Sequence, residues 1–189
     1  MNHNALKAFL LVSTVFSLLL SSCEKEPDME PAGLMWVENS PTGTGKPAYD
    51  IKLENKIRNK NGTYTWIWSV INTKPGDGTP GSGTVQDLQS WGFSLGSCAD
   101  LGQVISGSFS PDGVSWHNFN PEIKTVEGIP GGSGKALMFE QGTVKNQKSY
   151  YKLLVTRSFS TDDKVKAVFK SGKLTGSGTI LISGIGCPL

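Results

Sequence analysis

Two histidines, three cysteines and sixteen carboxylates are the obvious chemical resources of this 189-residue chain, and their positions restrict what it can catalyse. A serine hydrolase would need His117 as its base, since His3 lies at the extreme N-terminus, and no Gly-x-Ser-x-Gly elbow is present. A glycosidase needs two carboxylates across one cleft. Glu24, Glu26, Asp28, Glu30 and Glu38 crowd the N-terminal segment, and no motif joins any two of Asp50, Glu54, Asp87, Asp100 and Glu140. Two glycine-rich stretches, 130–136 and 42–47, imitate a phosphate loop. A Walker A loop needs glycine five positions before its Gly-Lys and Ser or Thr after it. The first stretch has Ile129 and Ala136 there, and the second has Ser40 and Pro47, so both read as turns. Calcium through Asp77, Asp87 or Asp100 lacks EF-hand spacing, and neither Cys98 nor Cys187 has a second ligand at zinc-finger spacing. The expectation is a protein without catalysis, cofactor or metal.

A formal charge of +2 and a pI near 8.4 give no electrostatic reason to expect nucleic acid as a partner. With 37% apolar and 18% charged residues and 23 glycines, the chain reads as a globular protein of one domain, not as a coiled coil or a disordered tail.

Residues 8–20 form an apolar run of thirteen, preceded by Lys7 and followed by Ser21, Ser22 and Cys23. That is the layout of a secretory signal and is too short for a spanning helix, which needs about 20 residues. Leu20-Ser21-Ser22-Cys23 resembles the lipobox of bacterial lipoproteins. The resemblance implies cleavage before Cys23 and acylation of that cysteine by palmitate-type chains. Each buried methylene adds about 0.8 kcal/mol of membrane affinity, so several chains would anchor the protein without a spanning helix. The acidic, proline-punctuated stretch after Cys23 reads as a tether. An aspartate directly after the cysteine commonly retains such proteins at the inner membrane; here the residue is Glu24, and the acidic start is similar to export signals of Bacteroidetes-like surface lipoproteins. The implied organisation is a signal peptide over 1–22, a lipidated tether over 23–33 and a domain over 34–189. The implied location is the outer membrane, with periplasmic and surface faces both open.

If lipid occupies Cys23, then Cys98 and Cys187 remain, and export places them where oxidation can pair them. Such a bridge would close a long loop, worth about 4–5 kcal/mol on the chain-entropy model. Two separate thiols are the alternative. Gly184-Ile185-Gly186 is expected to give Cys187 the freedom to reach a partner.

From residue 34 onward, short apolar stretches alternate with Gly, Pro, Asn and Asp, and helical spacing is never sustained. In 63–73, Tyr64, Trp66, Trp68 and Val70 share one face and Thr65, Ile67, Ser69 and Ile71 the other, which predicts a central strand with Trp66 and Trp68 in the core. In 164–170, Val165, Ala167 and Phe169 point one way and lysines the other, as in a strand with one wet face protected against edge pairing. Further strands are predicted over 34–38, 48–54, 90–95, 103–109, 115–119, 136–140, 150–159 and 178–183. Ten short strands fit an all-β, two-sheet antiparallel sandwich, immunoglobulin-like or jelly-roll-like, better than a closed barrel. The glycine-rich 74–84 reads as a mobile loop.

Ser110-Pro111-Asp112-Gly113-Val114-Ser115-Trp116 is similar to hairpins of discoidin-like carbohydrate-binding sandwiches and, less closely, to the Asp-box turns of sialidases. It also predicts a plain hairpin, with φ set by Pro111, φ > 0 at Gly113 and Trp116 packed back on the sheet. Exposed indoles can stack on sugar rings, and Trp116, His117 and Trp36 are the candidates, giving carbohydrate or another envelope protein as partner beside the membrane. Lys145, Lys148, Lys152, Arg157, Lys164, Lys166, Lys170 and Lys173 make the C-terminal strands locally basic, either as solvated faces or as one patch for acidic glycan or lipopolysaccharide. The pattern of residues 65–72, 86–98 and 170–187 resembles a β-sandwich module of bacterial surface and secreted proteins, which implies the fold and a structural role for Cys187 and adds no catalysis.

Overall fold

The computed structural model describes residues 36–38, 47–79, 82–95, 101–126 and 134–189, all within one compact unit, 34–189. Cys23 and Cys98 lie outside the described residues. Eleven strands are described: β1 (Trp36–Glu38), β2 (Tyr49–Arg58), β3 (Tyr64–Asn72), β4 (Leu88–Ser94), β5 (Val104–Ser110), β6 (His117–Phe119), β7 (Glu122–Thr125), β8 (Lys135–Phe139), β9 (Lys148–Val155), β10 (Phe159–Ser171) and β11 (Ser177–Pro188). They form a six-stranded sheet in the order β1-β11-β10-β4-β8-β7 and a five-stranded sheet in the order β2-β3-β9-β5-β6. Every pairing is antiparallel except β1 with β11. The chain crosses between sheets from β1 to β2, β3 to β4, β4 to β5, β6 to β7, β8 to β9 and β9 to β10, so the two sheets are interleaved in sequence. This is the two-sheet sandwich that the alternating pattern predicts.

The core is built from the inward positions of both sheets. Trp66, Trp68 and Val70 on β3 are fully buried, as their alternation requires, whereas Tyr64 at the strand's start is half-buried. Trp66 and Trp68 stack with centroids 5.9 Å apart, and Trp68 meets Phe93 of the opposite sheet at 5.2 Å. Trp91 stacks on Phe139 at 4.6 Å and meets Tyr151 edge-on at 5.1 Å. Tyr49 is buried at one end of this core: its hydroxyl donates to the Gln86 carbonyl at 2.7 Å and lies 2.6 Å from the Ser171 hydroxyl. Burial pushes the Tyr49 phenol up to about 12.

Several expectations need correction. Strand β10 is not near an edge, because it pairs with β11 on one side and β4 on the other. Its outer face is only partly wet, since Val168 is buried in a small cluster with Ala136, Met138 and Val126. Phe159 begins β10 instead of ending β9, and a bend at 156–158 separates the two. Strand β11 continues through Gly184, Ile185 and Gly186, and Ile185 is buried, so this segment is strand and not a free arm. The described part of 74–84 closes on itself: Pro75 bridges Val85, Gly76 donates to the Val85 carbonyl at 2.9 Å, and Asp77 Oδ1 accepts from the Thr79 amide at 2.7 Å and from the Ser82 hydroxyl. Strand β7 was missed by the sequence reading. Among the described residues no helix is long and apolar enough to cross a membrane.

Candidate functional site

The Ser110–Trp116 turn is held by its own side chains. Asp112 Oδ1 accepts from the Ser115 amide at 2.7 Å, the Val114 amide at 2.8 Å and the Ser110 hydroxyl at 2.9 Å. These bonds, the Ser115 amide foremost, hold the Asp112 carboxyl down at about 2. Gly113 adopts φ of +79°, where a side chain would be strained and would also press on the Tyr150 ring. Gln147 Nε2 donates to the Pro111 carbonyl at 2.8 Å, tying the turn to the segment that leads into β9. The hairpin reading of this motif therefore holds in detail.

That anchoring places the half-buried Trp116 over the outer face of the five-stranded sheet, where the Lys152 ammonium lies 3.5 Å from its ring centroid. The register explains the meeting. Ser108 of β5 pairs with Asn118 of β6 on one side and Lys152 of β9 on the other, and Lys152 pairs in turn with Ile67 of β3. Ser108 donates its hydroxyl to Asn118 Oδ1 at 2.8 Å. Next along β9, Tyr150 carries the Lys148 ammonium 5.3 Å from its ring centroid, and Lys148 also reaches Glu54 Oε1 at 2.7 Å. Glu54 accepts from the Ser69 hydroxyl at 2.6 Å as well. The Lys148 bond, then the Ser69 bond, hold the Glu54 carboxyl below the ordinary range. Lys152 differs: burial lowers its pKa, and among the described residues no carboxylate lies within ion-pair distance of it.

Of the sugar-stacking candidates, Trp116 joins this face, together with Lys148 and Lys152 of the basic C-terminal set. His117 is exposed, but it pairs with Phe109, whose ring packs inward on Tyr151, so the pleat sends it away from Trp116. Trp36 lies in β1, paired with Ser177 of β11. Cys187 is disulfide-bonded near the end of β11, and its carbonyl accepts from the Ser160 hydroxyl at 3.1 Å. The basic residues do not form one patch. Lys148 and Lys152 leave through the five-stranded sheet, whereas Lys166 and Lys170 belong to β10 of the other sheet. Ser108, Asn118, Tyr150 and the placement of Lys152 escaped the sequence reading. The run Tyr151-Lys152-Leu153-Leu154-Val155 did signal that Lys152 faces outward, but nothing local signalled what it would meet.

Two grooves elsewhere on the sandwich are less suited to chemistry. A groove of about 720 Å³ on the outer face of the six-stranded sheet has a floor of Val126, Met138 and Val168, and its Lys124 wall is taken up by Glu140 at 2.7 Å and Glu122 at 3.7 Å. A second groove brings Asp77 and Asp87 to one end of the sandwich, but Asp87 Oδ1 already accepts from the Lys145 amide at 2.6 Å. Among the described residues no three His, Cys, Asp or Glu side chains are grouped to hold a metal, and Asp100 lies outside them. Compared with protein-family models and with curated proteins, the chain finds no match.

Proposed function

We propose that this protein is exported, lipidated on Cys23 and anchored in the outer membrane, where its β-sandwich serves as a non-enzymatic structural or interaction module. The observation that carries the reading is the N-terminal order of Lys7, a short apolar run, two serines and Cys23. The disulfide at Cys187 agrees with it, because such bonds persist in oxidising compartments outside the cytosol. Metabolic labelling with an alkyne fatty acid tests the anchor: the wild type is expected to carry the label in the outer-membrane fraction, and equal labelling of Cys23→Ala would defeat the reading.

A second reading, a glycan-binding module, is favoured by one observation. Trp66, Trp68 and Trp91 are spent on the core, but Trp116 is held at the surface by a rigid turn among Lys152, Ser108 and Asn118. An aromatic face beside a few polar groups is how a protein surface grips a sugar ring.

A further inference from the structure

We propose that the Trp116–Lys152 face binds a carboxylated sugar, with its carboxylate on the Lys152 ammonium and its ring beside that ammonium, over Ile67 and against the edge of the Trp116 indole. The inference rests on the glycan-binding reading and names the sugar class. An ammonium brought this close to an indole gains from the ring quadrupole but leaves its N–H donors without acceptors, and no protein oxygen is in hydrogen-bond contact with Lys152 Nζ among the described residues. Lys148 lies four residues away on the same face. That lysine also lies over an aromatic ring, but a carboxylate, Glu54, completes it. Lys152 has the ring without the carboxylate.

The surroundings fit an incoming acid. The Glu54 carboxylate is already held by Lys148 and Ser69, so it does not compete for Lys152. Across the sheet, Asn118 uses its carbonyl oxygen on the Ser108 hydroxyl, which leaves its amide N–H groups to donate to sugar hydroxyls. The floor beneath is Ile67, half-buried, which suits the apolar face of a pyranose. A charged hydrogen bond from ammonium to carboxylate is roughly twice as strong as a neutral one, so an acidic sugar gains most where the ammonium is partly desolvated. Burial does lower the pKa of Lys152, as that description requires.

The test uses the full lipidated chain in neutral detergent, titrated calorimetrically with a galacturonate hexasaccharide and with its fully methyl-esterified, uncharged counterpart. The acid is expected to bind, and methyl esterification, Lys152→Met and Trp116→Ala are each expected to weaken binding at least tenfold. Equal binding of the two oligosaccharides would overturn the acidic-sugar inference and leave the glycan reading standing. Absence of binding by either would overturn both. Binding of the acid that survives Lys152→Met would place it elsewhere and overturn the site. The esterified arm uses wild-type protein, so the outcome does not depend on the variants folding.

Discussion

Trp66 and Trp68 are matched neighbours: same strand, same face, both fully buried, rings stacked. They differ in one bond. The Trp68 indole N–H donates to the Ser183 carbonyl at 3.0 Å, whereas the Trp66 N–H is buried with no hydrogen-bond partner among the described residues. Ser183 falls where the β10–β11 ladder slips, between Asp162↔Gly184 and Val165↔Ile182, and its carbonyl takes the indole from the opposite sheet. Replacing either tryptophan by Ala should cost about 3–5 kcal/mol, so truncation cannot tell them apart. Replacement by Phe can. Each Trp→Phe change loses about 1 kcal/mol of packing. Trp68→Phe also removes a bond and leaves a carbonyl unpaired, adding about 1–3 kcal/mol, whereas Trp66→Phe removes an unpaired buried donor and recovers a similar amount. The expected cost is therefore about 2–4 kcal/mol for Trp68→Phe, whereas Trp66→Phe should be neutral or stabilising by up to about 2 kcal/mol. With an m-value of about 2 kcal/mol/M, urea unfolding followed by circular dichroism should show the Trp68→Phe midpoint falling by about 1–2 M, and the Trp66→Phe midpoint holding or rising by up to about 1 M. Equal midpoints, or a larger loss at Trp66, would refute the assignment of the inter-sheet bond.

Two further outcomes are expected. The disulfide of Cys187 should prove to be with Cys98 when unreduced mature protein is mapped by mass spectrometry, and a bond to any other cysteine, or two free thiols in protein from the native envelope, would defeat the pairing. The Asp112 turn should hold to low pH: its folded pKa of about 2 lies below the ordinary 3.8, so its contribution is complete above 3.8 and fades as pH falls through about 2. The Val114 and Ser115 amide resonances report this directly, and a midpoint near 3.8 would mean the carboxylate does not hold the turn.

Period-2 alternation found most of the sandwich because a strand with one buried face writes its burial into its sequence. Where that condition fails, so does the reading. In β7, Glu-Ile-Lys-Thr offers one apolar side chain, half-buried Ile123, at the edge of the six-stranded sheet. The end of β11 looked like a flexible arm because its glycines suggest freedom, but there glycine answers close approach. A Cβ on Gly184 would come within 3.1 Å of Val165, so the neighbouring strand already fills that space. Strand β10 looked solvent-facing because its lysines dominate the outer positions, and only β8, which lies beyond Gly92 of the intervening β4, and the segment after β7 show, through Met138, Ala136 and Val126, that Val168 among them is covered.

The candidate site was less legible, for a reason that lies in the sheet order. Trp116 was visible as an aromatic beside a turn, and Lys152 as one of eight basic residues of the C-terminal strands, but they are 36 positions apart and their meeting depends on β9 inserting between β3 and β5. That insertion pairs strands from distant parts of the chain, which no local period encodes. The same insertion divides the C-terminal lysines, because the chain leaves β9 for the opposite sheet at β10. A basic stretch that is continuous in sequence thus becomes two faces of opposite aspect, and the one on the five-stranded sheet carries an indole over an ammonium that, among the described residues, no carboxylate completes. The charge pattern alone would send an acidic ligand to either face; the strand order is what singles out the face carrying Trp116.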